Sequence, residues 1–292
     1  MAISAKQVKE LRDRTGVGMM DAKRALQEVD GDMEKAVDYL RETGQASAAK
    51  KAGRIAAEGL TTVVTREDKA IILEVNSETD FVAKNEKFQT MLDKIANALL
   101  DAEPENLETA MKEVSVDGDK LEDYVSQQIA LIGEKLSVRR FEIYTKNAEQ
   151  FFGSYLHLGG KIGVLVKLTG GDQELAQNVA MHIGGINPQY ISEDDVPESV
   201  VEHEREVLTE QSLNEGKPEK IVHKMVEGRL RKFFSEICLV DQDYLIDSDQ
   251  TVGDVLKAKD AKVEAFERFE VGEGLEKRQD DFAAEVQKEM GK

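Results

Sequence analysis

The spacing of apolar residues changes from helical to alternating near residue 55, and this change most constrains how the chain can fold. Before that point apolar residues recur every three or four positions, as they do on one face of a helix. Beyond it, the alternation around Ile71, Leu73 and Val75 predicts strands over residues 59–65 and 69–75. The chain therefore begins with a helical module and continues into a mixed body of α+β class.

Three short helices are predicted before the change in periodicity. Ser4 followed by Gln7 forms a capping box, and the helix that it starts should end near Gly16. A second helix is expected from about residue 21, and a third begins at Asp32 and should end before Gly44. Three helices in fewer than fifty residues make a minimal bundle, which is marginal in stability because of its size.

The body is predicted to contain two similar units and a helical insertion. Gly159-Gly160 lies between two apolar runs and indicates a hairpin. A Gly216-Lys217-Pro218 break between two long polar-faced helices indicates an antiparallel coiled coil. The predicted helices are 86–100, 121–136, 174–182, 197–213, 218–234 and 280–290; the predicted strands are 138–143, 155–158, 162–168, 236–240 and 244–246.

These elements predict an α+β fold in six parts: a three-helix N-terminal domain, a linker, the two subdomains of an antiparallel core, a coiled-coil insertion and a short C-terminal helical module. The predicted boundaries are 1–46 for the N-terminal domain, 47–58 for a linker, 59–145 for the first core subdomain, 146–186 with 235–265 for the second, 187–234 for the insertion and 266–292 for the C-terminal module.

The charge of the chain argues against direct nucleic-acid binding. Its 39 Lys and Arg residues face 58 Asp and Glu residues, which gives a net charge of −19 and repels phosphate backbones. Residues 1–54 carry a small positive excess, so the acidic charge lies in the body. A strongly acidic protein favours basic surfaces as partners.

The sequence favours a cytoplasmic protein. Cys238 is the only cysteine, so no intrachain disulfide can form. The first residues lack the basic-then-apolar pattern of a signal peptide. Because apolar runs such as 162–168 are far shorter than the ~20 residues that cross a bilayer, no membrane association is expected.

The motifs of common enzymes are missing, so we expect no catalysis, no metal and no cofactor. The sequence has no G-x-x-x-x-G-K-[ST] loop for nucleotide hydrolysis. Its four histidines lack the spacing of metal ligands. Asp241, Asp243, Asp247 and Asp249 lack the glycine and glutamate that a calcium loop needs. The chain is predicted to act by binding another protein.

The most informative segment runs from Ile71 to Lys84, where a buried strand leads into a polar stretch that contains Asp80 and Phe81. From the pattern alone, the more common outcome is that Phe81 folds back into the core beneath this stretch. The other interpretation is that Phe81 is an exposed interface anchor, since aromatic side chains are enriched in binding sites.

Four stretches resemble the elongation factor Ts family, whose members exchange nucleotide on elongation factor Tu, and they occur in the same order along nearly the whole chain. They are LRDRTGVGMMDAKRAL (11–26), KAGR with AAEG (51–54 and 56–59), EVNSETDFVAKNEKF (74–88) and RFEVGEGLEK (268–277). The resemblance implies a ubiquitin-associated-like N-terminal domain, a two-part core, an inserted coiled coil and a C-terminal module, as the pattern of elements also predicts.

The resemblance also implies a mechanism and a set of contacts. Elongation factor Tu would be the partner, and Phe81 would wedge between two helices of its GTP-binding domain while Asp80 disturbs the shell of Mg²⁺. The residues implied to contact the partner are Thr79, Asp80, Phe81 and Val82, with further contacts from Arg12, Met19, Met20 and His157. His157 lies in a hairpin that resembles a segment meeting another domain of the partner.

Several alternatives stay open from the sequence. The coiled coil is interpreted as a docking element or as the interface of a homodimer, rather than as a solvated arm. The three-helix module alone would also suit a ubiquitin-associated-type protein adapter, which would not need Asp80 and Phe81. A hydrolase that uses surface carboxylates is a third interpretation, and it predicts turnover with a titrating pH profile.

Overall fold

A computed structural model describes residues 3–276, and these residues form an α+β protein as the sequence predicts. The helices are α1 Ala5–Thr15, α2 Met19–Glu28, α3 Met33–Lys51, α4 Asp80–Ala83, α5 Glu86–Ala102, α6 Leu107–Glu113, α7 Leu121–Ile132, α8 Gln173–Ile186, α9 Glu198–Asn214, α10 Glu219–Ile237 and α11 Val252–Ala258. The strands are β1 Glu58–Thr65, β2 Lys69–Ser77, β3 Ser115–Val116, β4 Asp119–Lys120, β5 Leu136–Thr145, β6 Gln150–His157, β7 Ile162–Thr169, β8 Asp243–Tyr244, β9 Asp247–Thr251 and β10 Lys262–Glu270.

The chain packs as two compact units. The first comprises the described residues up to Val64, Leu73–Glu142, and the described residues from Glu270 onward. The second comprises Thr65–Ile72 and Ile143–Phe269. The six-part division predicted from the sequence is finer than this and stays a prediction.

The N-terminal helices form for the local reasons that the sequence indicates. Ser4 and Gln7 make the reciprocal capping box, with Gln7 N donating to Ser4 Oγ at 3.2 Å. Gly16 ends α1 in the left-handed conformation, with φ of 73°, which glycine adopts without a steric penalty. The core of this module is made by Val8, Leu11, Ala22, Ala25, Leu26 and Ala36.

The third helix is longer than predicted. We expected it to end before Gly44, but α3 continues to Lys51 and takes in the start of the predicted linker. Gly44 is buried inside the helix, where a Cβ would lie 3.6 Å from the backbone oxygen of Ser126 on α7. Gln45 Nε2 donates to Asp123 Oδ1 on the same helix at 2.9 Å. Tertiary packing on α7 therefore extends α3 past its glycine.

The first sheet has the strand order β1-β2-β5, and its strands match the predicted positions. Strand β2 is buried along nearly its whole length, and helix α5 buries Phe88, Met91 and Ile95. Helix α6 and the two-residue strands β3 and β4, which pair antiparallel, were not predicted from the sequence. Elements this short carry too little periodicity to be read from a pattern.

The second sheet has the strand order β10-β7-β6. Its third strand is β10, and not the predicted strands 236–240 and 244–246. The β6–β7 hairpin is confirmed, with His157 opposite Ile162. Residues 236–240 were expected to form a strand of this sheet, but α10 continues to Ile237, and Cys238 N bonds to Phe234 O as in a helix. Tyr244 lies in β8, which pairs with β9 in a separate sheet.

Helix α8 covers the second sheet. Its buried face packs on β7 in the main core of the second unit, which contains Val164, Val166, Leu168, Leu175, Val179, Ile183 and Val263. The third strand, β10, reaches Glu270, so residues 266–270, which were predicted to start a helical C-terminal module, lie in this strand. The predicted helix 280–290 lies outside the described residues.

Helices α9 and α10 pack against each other as a helical hairpin, at the positions where the sequence predicts two helices. Its apolar seam is thin and contains Leu208, Val222, Val226 and Leu230. Arg229 Nη2 bonds to both carboxylate oxygens of Glu215 at 2.9 Å, which joins the two helices at the outer end of the hairpin. Most of the other residues of the two helices are charged or polar, as expected for a helical hairpin that faces water.

Candidate functional site

Helix α4 is a single turn that presents Phe81 to solvent. It follows directly after the buried strand β2 and comprises four residues, from Asp80 to Ala83. The Phe81 side chain is 80% exposed. The interpretation that Phe81 folds back into the core is therefore wrong, and the small Ala83, which is buried, occupies the inward position instead. Because so exposed a ring contributes little to the packing of the core, a partner can bury it without disturbing that core.

Asp80 lies beside the exposed ring and is paired with a lysine on the same turn. Lys84 Nζ lies 2.7 Å from Asp80 Oδ2, and both side chains are well exposed to water. Exposed ion pairs between long side chains contribute little free energy, so the pair separates readily. The turn thus offers a carboxylate and an apolar ring side by side.

The turn is held by side chains from a distant part of the chain. Thr79 caps α4 and gives both its backbone N–H and its hydroxyl to the carboxylate of Glu134, at 3.0 Å and 2.7 Å. Glu78 accepts from the backbone N–H of Lys135 at 2.6 Å and from Arg54 Nη1 at 3.1 Å. The roles of Glu134, Glu78, Lys135 and Arg54 were not predicted from the sequence, because contacts between residues 24 to 57 positions apart leave no local pattern.

Strand β2, which leads into the turn, contains a buried charged group. Glu74 is fully buried and accepts hydrogen bonds from Arg139 at 2.9 Å, from Arg140 at 2.6 Å and from the backbone N–H of Gly272 at 2.9 Å. Burial alone would raise the pKa of Glu74, but the Gly272 N–H and the two arginines together lower it below its usual value. The carboxylate stays ionised and ties β2, β5 and the 271–274 turn together.

Gly272 is needed for this arrangement. Its φ of 74° is left-handed, and a Cβ at this position would lie 2.2 Å from the backbone oxygen of Ala57. Only glycine brings the backbone close enough for its N–H to reach Glu74. The glycine lies in the RFEVGEGLEK stretch, so a structural role explains this part of the pattern.

The other predicted contact residues of the first unit lie on the N-terminal module. Arg12 is exposed near the end of α1, and Met19 and Met20 begin α2 after a three-residue connection. Met20 is 67% exposed, and Met19 is exposed as well. The alternative that these thioethers pack in the core of the bundle is therefore wrong. Flexible, polarisable side chains at a surface are suited to contact a partner.

His157, the last predicted contact, lies in the second unit at the end of β6. Its ring stacks on Tyr155 with 5.8 Å between centroids, and Tyr155 Oη lies 3.2 Å from His157 Nδ1. The next residue, Leu158, is 69% exposed. The structure therefore places an exposed apolar tip on the predicted hairpin.

Other titratable groups of the second unit have structural roles. His182 is fully buried, its Nε2 lies 2.9 Å from Gln242 Oε1, and its Nδ1 accepts from Leu245 N at 3.2 Å. Burial lowers the pKa of His182, although the Gln242 bond acts in the opposite direction. Burial is also the main reason that the pKa of Cys238 is raised to about 12. Neither group is placed for chemistry at neutral pH.

Among residues 3–276, no three His, Cys, Asp or Glu side chains are grouped so that they could hold a metal ion. A cleft of about 840 Å³ is lined by parts of α1–α3 and α7, but Phe81 is not among its lining residues. The candidate site is thus an exposed turn rather than a pocket, which suits contact with another macromolecule.

No helix of the described part is both long and apolar enough to cross a membrane.

Comparison with models of known protein families gives a match to this part of the chain. The model described as Elongation factor TS matches residues 78–273, which is about two-thirds of the 292 residues. The match begins one residue before Thr79 and includes Glu134, so it contains the turn and the segment that holds it. The family acts in the elongation step of translation. The chain belongs to the elongation factor Ts family.

Proposed function

We propose that this protein binds elongation factor Tu in its GDP-bound form and accelerates the release of GDP. In this proposal Phe81 inserts between two helices of the GTP-binding domain of the partner, while Asp80 disturbs the groups around Mg²⁺. The observation that carries the proposal is the 80% exposure of Phe81 on a turn whose two preceding residues, Glu78 and Thr79, are bonded to Lys135 and Glu134. Such a protein acts as an exchange factor and catalyses no covalent reaction.

Insertion of an aromatic wedge weakens nucleotide binding for a simple reason. A G protein holds GDP through backbone amides at the phosphates and through Mg²⁺ with its ordered ligands. Shifting these groups by about an ångström loosens the nucleotide, since hydrogen bonds and ion contacts depend steeply on distance.

The exchange factor must bind the nucleotide-free partner more tightly than the nucleotide-bound one, because equal binding would shift nothing. Burying the Phe81 ring only in the nucleotide-free complex supplies about 2 kcal/mol, or roughly thirtyfold in affinity. By reciprocity, GDP or GTP weakens the binding of the factor by the same amount and displaces it.

Asp80 adds an electrostatic contribution. Its carboxylate lies next to the ring and exchanges its Lys84 partner easily, because both side chains are exposed. A carboxylate brought near Mg²⁺ competes with the phosphate oxygens as a hard ligand. It also repels the negative phosphates of GDP, and this repulsion is strongest where water is excluded.

Further contacts would increase affinity rather than drive release. Arg12 is exposed on α1, Met19 and Met20 are exposed at the start of α2, and Leu158 is exposed next to His157 in the second unit. The coiled coil α9–α10 would dock on a partner or pair with a second copy in a homodimer. Because the net charge is −19, direct nucleic-acid contact is not part of the proposal.

The proposal is tested by following release of a fluorescent GDP analogue from purified elongation factor Tu in a stopped-flow instrument. The wild-type protein is expected to accelerate release strongly, and Phe81→Ala should lower the maximal rate by roughly thirtyfold. Ile246→Ala is the matched control, because it also removes an exposed apolar side chain but lies in the second unit.

Release at the wild-type rate in Ile246→Ala and slow release in Phe81→Ala would support the wedge. Fast release in both variants would keep the exchange activity but reject the role of Phe81. No acceleration by the folded wild-type protein would contradict the proposed function itself.

A further inference from the structure

The short helix that carries Phe81 is bonded to Glu134 through its capping residue. We infer that Glu134 is a positioning residue for the wedge: it fixes Thr79, and through Thr79 it holds α4 in the conformation that presents Phe81. This inference rests on the proposed exchange function. It adds a residue 53 positions away from Phe81, in the connection between α7 and β5.

Helix α4 needs support from outside itself. It has four residues, and so short a helix is unstable alone because nucleation costs more than one or two backbone bonds return. Its cap is also weak by itself, since Val82 N lies 3.4 Å from Thr79 Oγ1, near the upper limit for a hydrogen bond.

Glu134 supplies the missing support by binding Thr79 twice. One carboxylate oxygen accepts from the Thr79 backbone N–H at 3.0 Å, and the other accepts the hydroxyl proton at 2.7 Å. Because the hydroxyl donates its proton to Glu134, its oxygen is left to accept from the Val82 N–H. Hydrogen bonds to an ionised acceptor are stronger than neutral ones, and two parallel bonds also fix the angle.

In a second pair of contacts, the glutamate belongs to the segment before α4 and the backbone N–H to the 133–135 connection. The Glu78 carboxylate accepts from the backbone N–H of Lys135 at 2.6 Å, and Lys135 Nζ donates to the backbone oxygen of Arg54 at 2.8 Å. Each glutamate thus bonds to the backbone of the other segment. The 133–135 connection is flanked by the buried side chains of Ile129 and Leu136, so the turn is anchored to the core.

This geometry predicts an effect on rate rather than on binding alone. A ring held in place before it meets the partner loses little conformational freedom on insertion. Without Glu134 the turn would sample other conformations, and only a fraction of encounters would have Phe81 correctly oriented. The maximal release rate should then fall, while the contacts made by the other surfaces keep the half-saturating concentration nearly constant.

The test compares three variants in the nucleotide-release assay. Glu134→Ala removes both bonds. Glu134→Gln keeps the shape, and its amide can still accept from the Thr79 N–H and donate to the hydroxyl oxygen. Asp117→Ala is the control, because it removes a carboxylate of the same unit whose bond, 2.6 Å long, is to Lys94 and not to the turn.

A second measurement reports on the turn directly. Amide hydrogen exchange is followed at Lys84 and Asn85, whose N–H groups bond to Asp80 O at 3.2 Å and Val82 O at 2.9 Å when α4 is formed. This readout needs no partner protein. Thermal denaturation of each variant confirms that the rest of the molecule is folded.

We expect Glu134→Ala to lower the maximal release rate by roughly tenfold and to speed amide exchange by a similar factor. The half-saturating concentration should change by less than about threefold. Glu134→Gln should recover both properties to within about threefold of wild type, and Asp117→Ala should change neither.

Three outcomes would overturn the inference. A folded Glu134→Ala variant with wild-type amide exchange would show that Glu134 does not hold the turn. Faster amide exchange with a wild-type release rate would show that holding the turn does not matter for exchange. If the wild-type protein fails to accelerate release at all, the proposed function fails, and the positioning role fails with it.

Discussion

The α4 turn and the β6–β7 hairpin each present an exposed apolar side chain, and they hold it in different ways. In the first unit, Phe81 lies on α4, which Glu134 and Glu78 bond to a distant segment of the chain. In the second unit, Leu158 lies at the tip of the β6–β7 hairpin, in a left-handed conformation with φ of 49°. Gly159 and Gly160 follow in the same region, and Gly160 N bonds back to His157 O at 3.1 Å.

The difference separates two kinds of contact. The hairpin tip is shaped by its own turn, and its leucine accepts a backbone conformation that is unfavourable for residues with a Cβ. The α4 turn is an ordinary helical turn made rigid by charged side chains. We therefore expect the hairpin tip to add affinity, and the α4 turn, which is bonded to a distant segment, to displace groups of the partner.

The largest effect is expected when the buried charge on β2, the strand that leads into α4, is removed. Glu74→Gln leaves Arg139 and Arg140 without their buried counter-charge and should lower the free energy of unfolding by about 3 kcal/mol. Urea denaturation followed by circular dichroism measures the change. Glu142→Gln, which alters an exposed carboxylate on β5, is the control and should have little effect. Equal stability of the two variants would show that Glu74 does not support the sheet.

The two exposed side chains should differ in which kinetic constant they control. Phe81→Ala is expected to lower the maximal rate of GDP release, whereas Leu158→Ala should raise the half-saturating concentration by up to about tenfold and leave the maximal rate unchanged. A concentration series in the release assay gives both constants. A lower maximal rate in Leu158→Ala would show that the hairpin also acts in the release step.

Acid should affect the two units at different pH values. Burial lowers the folded-state pKa of His182 below its usual 6.5, so its neutral form stabilises the second unit above that pH. This contribution is lost as the pH falls through the folded-state pKa. Glu74 also has a lowered pKa, but its usual value is 4.5, so its contribution is lost only in stronger acid.

Denaturation curves at a series of pH values, read by amide exchange in each unit, would check this order. His182→Gln should flatten the loss of stability below pH 6.5, and Glu74→Gln should flatten only the loss below pH 4.5. The expectation fails if the first unit loses protection before the second.

The smallest effect is expected at Lys84. Lys84→Met removes the exposed ion pair with Asp80 and keeps most of the aliphatic side chain. Because exposed pairs contribute little, the release rate should change by less than about twofold. Release measured at low and high salt would detect a larger role, and a change above about fivefold would show that Lys84 controls the orientation of Asp80.

Local signals made much of the fold predictable from the sequence. The capping box at Ser4, the β1–β2 pair, the hairpin at Gly159-Gly160 and the break at Gly216-Pro218 all depend on residues close to one another in sequence. The end of α3 was not predictable, because packing on α7 extends the helix past Gly44. The strand β10 was not predictable either, because it forms by pairing with β7.

The site was only partly predictable for the same reason. The motif identified Asp80 and Phe81, but no pattern distinguishes a buried loop aromatic from an exposed one. The exposure of Phe81 depends on Ala83 taking the inward position, and its support comes from Glu134. A hydrogen bond between a carboxylate on one segment and a threonine on another leaves no periodic pattern in the sequence from which it could be predicted.

The central claim is that Phe81 favours the nucleotide-free partner, and equilibrium binding tests it most directly. Titration calorimetry would give the dissociation constants of wild type and Phe81→Ala with elongation factor Tu, both free of nucleotide and bound to GDP. The account predicts that Phe81→Ala loses roughly thirtyfold in affinity for the nucleotide-free partner and less than about threefold for the GDP complex. An equal loss in both states would contradict it, because a side chain that binds both forms alike cannot drive exchange.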